Sequence, residues 1–344
     1  MALLTADWRS AEDALGAYET SADDDVFAFG TSGSTGAPKR VLLSRRAVRA
    51  SARFAAEELG ASGAWLLALA PSYVAGFNVV ARASEMGTGL VVVAEGSFTA
   101  EAFCEAYVHL PSGPNYTSLV PAQLARLLDD VEASAVLAGF ARVLLGGQAP
   151  PAQLVRRARE AGVRLTLTYG ATETSGGCVW DGRPLGDTEV ALIDGVIHLT
   201  GSVLADGYRD DPEQTAEAFP VVDGRRWHRT RDAGELHGGR LVVVGRVDDV
   251  IVSGGVKVPL AAVEALLRDQ PGLADAVVVG VPDERWGEVP VVATAGDAEV
   301  DAELIAGAYG AAARPARVLR LPELPLLPSG KPDRLAIRAL AAAG

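Results

Sequence analysis

Lysine is nearly absent from this chain. Of 31 basic side chains only Lys39, Lys257 and Lys331 are lysines, and each stands in a glycine-containing loop: GTSGSTGAPK, SGGVKVP and LPSGKPDR. Elsewhere arginine supplies the positive charge. The three ammonium groups are therefore candidates for places where a compact charge on a flexible stem fits and a planar guanidinium fork does not, chance placement among abundant glycines being the alternative. Phosphate and carboxylate are the groups such a charge reaches.

Cysteine and histidine are scarce too. Cys104 and Cys178 are too few for a disulfide framework, and the four histidines have no metal-binding spacing, so a zinc-type cluster is not expected. A reducing cytoplasm fits this usage. Basic charge is short overall: 31 Lys and Arg against 44 Asp and Glu give a net charge of −13. Extended binding to nucleic acid or to an anionic membrane needs a basic face, so neither is expected, and an anionic ligand must meet local positive charge. The opening MALLTADWRSAEDALG has no basic start leading into an apolar run, which predicts no signal peptide. The charge-free stretch from Ala61 to Ala81 is interrupted by Pro71, Gly76 and Asn78. It reads as buried strand, loop and helix, so no stable membrane insertion is expected.

What is present is alternation. From Asp25 to about Phe140 short apolar runs alternate with longer amphipathic ones, as a layered α/β domain requires. VFAFG and RVLLS read as strands flanking the glycine loop, and Ser44 is placed to cap the helix RRAVRASARFAAEEL. WLLALA, LVVVA, TSLV, RVLLG and RLTLT read as further buried strands. Around residues 187 to 245 short strands with tight turns, as in EVALIDGVIHLTG and ELHGGRLVVVG, indicate a small antiparallel region. After GRVDDVIVSGG comes a compact unit: helix from Leu260 to Arg268, strands DAVVVGV and VPVVATA, helix from Asp301 to Ala312, strand RVLRL, then a proline-rich loop to Lys331. The expected fold is a large layered α/β domain over 1–247 with a small antiparallel region, followed by a small mobile α+β domain over 248–344.

Two motifs carry chemistry. GTSGSTGAPK places Gly30, Gly33 and Gly36 among four hydroxyls and ends on Lys39, a loop that can turn many donors on a polyphosphate. It lacks P-loop spacing, and a glycine-serine hairpin without ligand is the structural alternative. Tyr169-Gly170-Ala171-Thr172-Glu173-Thr174 follows RLTLT directly, where a parallel sheet presents its ligand-binding edge. A hydroxyl and a carboxylate there suit a phosphate oxygen and a hard Mg2+ ion, although an acidic residue after a strand is also a common helix start.

TSGSTGAPK, YGATET, GYRDDPEQTAEAF, RTRDAGEL, GRVDDVIVSGGVKVP and LPSGKPDR stand in this order, and together they resemble the acyl- and aryl-CoA synthetases of the adenylate-forming superfamily. TSLVPAQLARLL, VLLGGQAPP and YGATETSGGCVWDGRPL are most similar to the o-succinylbenzoate:CoA ligases of menaquinone biosynthesis. The resemblance implies two half-reactions: carboxylate and ATP give an acyl adenylate and pyrophosphate, then the CoA thiol displaces AMP. It implies that Thr31, Ser32, Gly33, Ser34, Thr35, Gly36 and Lys39 embrace the β- and γ-phosphates, that Thr172 meets the α-phosphate, and that Glu173 helps bind Mg2+. Gly146, Gly147 and Gln148, with Tyr169 and Gly170, would border the adenine, and Gly170 also the acid. Asp232 would accept bonds from the ribose hydroxyls with Arg246 beside it, as an acceptor-only group suits a vicinal diol. Lys331 would bridge the acid and the α-phosphate, Asp248 would be a hinge, and Gly254, Gly255 and Lys257 would serve CoA after the smaller domain rotates. ATP, CoA and a carboxylic acid are the implied partners, and the resemblance leaves room for a homodimer.

The chain also departs from that family's pattern. Only about 25 residues precede the glycine loop, so the N-terminal subdomain reads as trimmed, and Arg231 replaces a usual glycine beside Asp232. In APSYVAGF a gating histidine or aromatic is replaced by Ser72 and Tyr73, which makes Tyr73 the substitute gate. Arg82, nine residues on, is a candidate partner for an aromatic carboxylate, a solvated arginine being the alternative. Two other readings stand beside this one: a different aryl- or acyl-CoA ligase, and a nucleotide-binding protein without ligase activity.

Overall fold

A computed structural model describes residues 1–31, 39–94, 98–247, 249–327 and 332–343. They form two compact units. The first comprises Met1–Pro150, Leu154–Thr230 and Leu236–Val242; the second comprises Pro151–Gln153, Arg231–Glu235 and Val243–Gly344. The chain thus changes unit inside the strands His228–His237 and Arg240–Arg246.

In the first unit, strands Leu90–Val92, Ala64–Leu67, Asn115–Leu119, Arg142–Leu145 and Leu165–Ala171 lie side by side in that order and all parallel. Gly176–Trp180 and Arg183–Pro184 extend this sheet antiparallel. Side chains alternate between its faces. Trp65, Leu67 and Leu144 enter one core with Phe27, Phe29 and Phe77, while Leu66, Val143 and Leu145 enter another with Phe103, Leu124 and Phe140. Burial on both faces explains why Ala64–Leu67 and Arg142–Leu145 read as apolar runs, whereas Leu90–Val92, expected to be buried, is a partly exposed strand at the sheet edge. Each fully buried Leu or Phe contributes about 1.5–3 kcal/mol from removal of apolar surface from water.

Helix Arg45–Leu59 begins where the sequence predicts. The Ser44 hydroxyl accepts from the Ala47 N–H at 3.3 Å, and Gly60 ends the helix with φ 69°. Its Ala47, Val48, Ser51, Ala52 and Ala55 are buried along one face. The charge-free stretch resolves into strand Ala64–Leu67 and helix Val74–Met86, of which Gly76 through Ala83 are all buried. No helix among the described residues is long and apolar enough to cross a membrane. A smaller sheet orders Leu3–Thr5, Val26–Thr31, Lys39–Ser44 and Gly207–Tyr208. Beneath it Trp8 stacks on Phe77 with ring centroids 4.6 Å apart. The hairpin Glu189–Ile193 to Val196–Thr200 turns on Asp194 and Gly195, both with positive φ, the two-residue geometry that matches strand twist.

The second unit carries a sheet ordered Val256–Pro259, Val250–Ser253, Gly287–Thr294, Val277–Asp283, with Arg317–Arg320 parallel to Gly287–Thr294. Helix Leu260–Arg268 has the predicted bounds. The helix expected over 301–312 is shorter, Ala302–Tyr309, because Gly310 at φ 88° breaks it before a 3-10 turn at Ala311–Ala313. Glu264 is buried but matched: it accepts from Arg268 at 2.8 Å, Arg334 at 2.6 Å and the Val278 N–H at 2.9 Å.

Candidate active site

The parallel strands end together. Leu119, Leu145 and Leu167 are in register, so the segments that follow, Gly146–Gln148 and Tyr169–Thr172, emerge along one edge of the sheet. Gly146 must be glycine here, because a Cβ would lie 2.4 Å from the Thr168 hydroxyl. Gly170 is tighter still: a Cβ would stand 2.1 Å from the Gly176 carbonyl oxygen, a backbone atom that cannot swing away. The register slips between Tyr169 and Gly170, which aims the next residues out of the ladder.

Those residues form a 3-10 turn, Thr172–Thr174, held from several sides. The Thr174 hydroxyl accepts from the Ala171 N–H at 2.9 Å and is 2.9 Å from the Gly176 carbonyl. Ser175, at φ 51°, returns its N–H to the Thr172 carbonyl and donates its hydroxyl to Val203 at 2.8 Å. The Glu173 carbonyl accepts from the Ala205 N–H at 2.8 Å. With its backbone fixed in this way, the turn can offer the Thr172 and Glu173 side chains to a ligand.

Tyr208 stands between this turn and Lys39. Its hydroxyl donates to Glu173 Oε1 at 2.8 Å, and Lys39 Nζ lies 5.4 Å from its ring centroid. Tyr208 pairs with Val41 across the strands, which puts it on the side of Lys39 two residues earlier. The sequence reading gave Tyr208 no role, although GYRDDPEQTAEAF contains it. Among the described residues no group of three or more His, Cys, Asp or Glu side chains can hold a metal. One carboxylate fixed by a tyrosine still suits Mg2+, which commonly takes one or two protein carboxylates and completes its shell with phosphate oxygens and water.

Arg82 is not a solvated arginine. It is 5 % exposed and lies between Trp65 and Trp180, 5.4 and 5.9 Å from their ring centroids. Its Nε has no partner among the described residues, and Nη1 meets the Ser118 hydroxyl only at 3.5 Å. Burial pushes this guanidinium down to about 10, still cationic at neutral pH. A buried cation without a carboxylate is costly, and an incoming anion would remove that cost. Tyr73 is half-buried at the N-cap of the same helix, with no side-chain cap bond.

Asp232, Arg246, Gly254, Gly255 and Lys257 belong to the second unit. Arg246 Nη1 stands 4.0 Å from Asp232 Oδ1, a loose and partly exposed pair. Gly254 and Gly255 are the two turn residues of the hairpin Val250–Ser253 to Val256–Pro259, with φ 56° and 83°. A Cβ on Gly254 would strike the Trp286 ring at 2.6 Å, whereas one on Gly255 meets open space. Lys257 is exposed on the return strand. Ser32, Gly33, Ser34, Thr35, Gly36, Asp248 and Lys331 lie outside the described residues, as does the Thr31 side chain.

Two family models match this chain: AMP-binding enzyme over residues 4–206 and AMP-binding enzyme C-terminal domain over 262–331. A probable 2-succinylbenzoate–CoA ligase of Mycobacterium tuberculosis is 40 % identical over 277 residues, 79 % of this chain and 71 % of that protein. The 2-succinylbenzoate–CoA ligase of Escherichia coli is 32 % identical over 304 residues, 85 % of this chain and 64 % of that protein. Among solved structures, o-succinylbenzoate CoA synthetase from Bacillus subtilis in complex with the acyl-adenylate intermediate OSB-AMP superimposes with a TM-score of 0.76 at 27 % identity. That match covers 91 % of this chain and 68 % of the other.

Proposed function

Because the chain belongs to the AMP-binding enzyme family, we propose that it ligates o-succinylbenzoate to CoA at the expense of ATP, through an acyl adenylate, in menaquinone biosynthesis. A carboxylate is a poor electrophile, and adenylation supplies its leaving group. One carboxylate oxygen of the acid forms a bond to the α-phosphorus as pyrophosphate leaves; the CoA sulfur then bonds to the acyl carbon as AMP leaves and the thiol proton passes to solvent. We place both steps in the cytoplasm and leave a homodimer as the proposed assembly.

In this reading the loop from Thr31 to Lys39 cradles the β- and γ-phosphates. Thr172 donates to the α-phosphate, and Glu173, oriented by Tyr208, is the carboxylate for a Mg2+ ion that neutralises phosphate charge. Gly146, Gly147, Gln148, Tyr169 and Gly170 border the adenine, and Asp232, with Arg246 beside it, takes the ribose. Lys331 bridges acid and α-phosphate as charge builds in the transition state. After rotation about Asp248, the turn at Gly254 and Gly255, with Lys257, faces CoA.

The observation that carries the choice of acid is Arg82. o-Succinylbenzoate has two carboxylates, of which the succinyl one is activated. The benzoate one needs a buried counter-charge, and Arg82 with Ser118 is one without an acidic partner among the described residues. Pyrophosphate release with a panel of acids tests this. The diacid is expected to exceed benzoate and medium-chain fatty acids by about 10²-fold in kcat/KM, because those leave the polar partners unsatisfied. Simple benzoates outperforming the diacid would make the protein a general aryl-CoA ligase, and ATP binding without pyrophosphate release for any acid would leave only a nucleotide-binding protein.

A further inference from the structure

The chain contains two asparagines, Asn78 and Asn115. Asn78 is 2 % exposed on the buried helix Val74–Met86, one turn before Arg82. Residues four apart share a helix face. Its amide Nδ2 donates to the Ser175 carbonyl at 2.6 Å, and the Ser51 hydroxyl donates to the same oxygen at 3.0 Å. Turning the amide over would set two acceptors against each other, so this bond fixes its orientation. Room for the amide comes from Gly176, where a Cβ would lie 2.3 Å from Nδ2. Ser175 in turn closes the turn that carries Thr172 and Glu173.

One rigid element therefore holds both the proposed counter-charge for the acid and the backbone of the turn proposed to face the α-phosphate. Ser51 holds the same carbonyl from helix Arg45–Leu59, which does not carry Arg82. Thr174 and the Ser175 hydroxyl keep the turn closed without either anchor.

We propose that Asn78 is a positioning residue which sets the span between the Arg82-bound carboxylate and the Thr172–Ser175 turn, and so selects diacids of one length for adenylation. The inference rests on the adenylation reading above. An acid anchored at Arg82 has its reactive carboxylate placed by the helix; a monoacid that does not use Arg82 is free of that constraint. Loss of the Asn78 bond lets helix and turn shift relative to one another, and misplacement of about 1 Å is enough to cost on the order of 10²-fold in rate.

The test is single-turnover adenylation of o-succinylbenzoate and of a monoacid substrate by the parent, Asn78→Ala, Asn78→Ser and Ser51→Ala. Asn78→Ser keeps a polar group too short to span to Ser175 and serves should the alanine variant fold poorly. Both Asn78 variants are expected to lower the maximal single-turnover rate for the diacid by about 10-fold or more with its half-saturating concentration within about threefold, and to change the monoacid rate by less than about threefold. Ser51→Ala is expected to affect the two acids equally. Equal losses for diacid and monoacid in the Asn78 variants, or diacid turnover at the parental rate, overturn this inference alone. A parent that forms no adenylate from the diacid overturns the functional reading and the inference with it.

Discussion

The Thr172–Ser175 turn and the surroundings of Arg82 both bury polar groups in the first unit, on opposite terms. In the turn, the Thr174 and Ser175 hydroxyls and the Glu173 and Ser175 carbonyls all have hydrogen-bond partners within the protein. Around Arg82, among the described residues, Nε has none and Nη1 has one contact at 3.5 Å. A satisfied network fixes geometry, whereas an unsatisfied buried cation is a standing cost that a ligand relieves. In the proposed function the first region would hold reacting groups still and the second would recruit an anion.

The largest effect expected lies with the charge that both regions would serve. Lys331→Ala should lower adenylation by on the order of 10²-fold or more while ATP binding persists, since the lost contact acts mainly in the transition state. Thioester formation from supplied acyl adenylate should continue, and Lys331→Arg should be nearly as damaging. Equal loss of both half-reactions in a folded variant contradicts the role.

Arg82→Met breaks the comparison from its other side. It should lower kcat/KM for o-succinylbenzoate by about 10- to 10²-fold and change a monoacid little. Thermal unfolding without ligand should occur at the same or a higher temperature, because replacing an unmatched buried charge by an apolar side chain is neutral or stabilising. A clear drop in stability would mean that Arg82 serves the fold.

A smaller loss is expected at the second unit's turn. Gly254→Val forces a side chain onto Trp286 at a left-handed φ, a conformation costing about 1–2 kcal/mol without glycine. Thioester formation should fall by about tenfold while pyrophosphate exchange continues. Gly255→Ala, with open space around it, should do less. If both variants make thioester at the parental rate, the pair is only a turn.

The smallest effect is in pH. Arg82 loses its proton as pH rises through about 10, because burial holds it below the ordinary arginine range. Diacid KM should therefore rise a few-fold above about pH 10, with no matching rise for a monoacid. The same sign governs stability: from about pH 10 up to the ordinary arginine range the unfolded chain binds the proton more tightly, so this one group makes the ligand-free protein gain stability with rising pH. Parallel KM profiles for the two acids would separate Arg82 from recognition of the acid.

Much of this was legible in the sequence where the signal is local. Ser44 as a cap, helix Leu260–Arg268 and the Asp194-Gly195 turn follow from neighbouring residues. The central strands were readable because burial on both faces makes their apolar runs continuous. Unread were strand Leu3–Thr5, only three residues long, helix Ala11–Thr20, whose apolar residues are mostly alanine, and the alanine-rich helix Arg334–Ala343. The glycine motifs identified the edge of the sheet, but the contacts that arm it were hidden. Tyr208 reaches Glu173 across 35 positions, Asn78 reaches Ser175 across 97, and Trp180 covers Arg82 from a strand far along the chain. No periodicity encodes such pairs; they arise only when the sheet brings the segments together.

Mass analysis of the product bound to the enzyme after mixing with ATP, Mg2+ and o-succinylbenzoate, with CoA withheld, tests the central claim most directly. The account predicts one equivalent of o-succinylbenzoyl adenylate with release of pyrophosphate, converted to the CoA thioester and AMP when CoA is added. ADP and phosphate as the nucleotide products, or unchanged ATP beside the intact diacid, would contradict it.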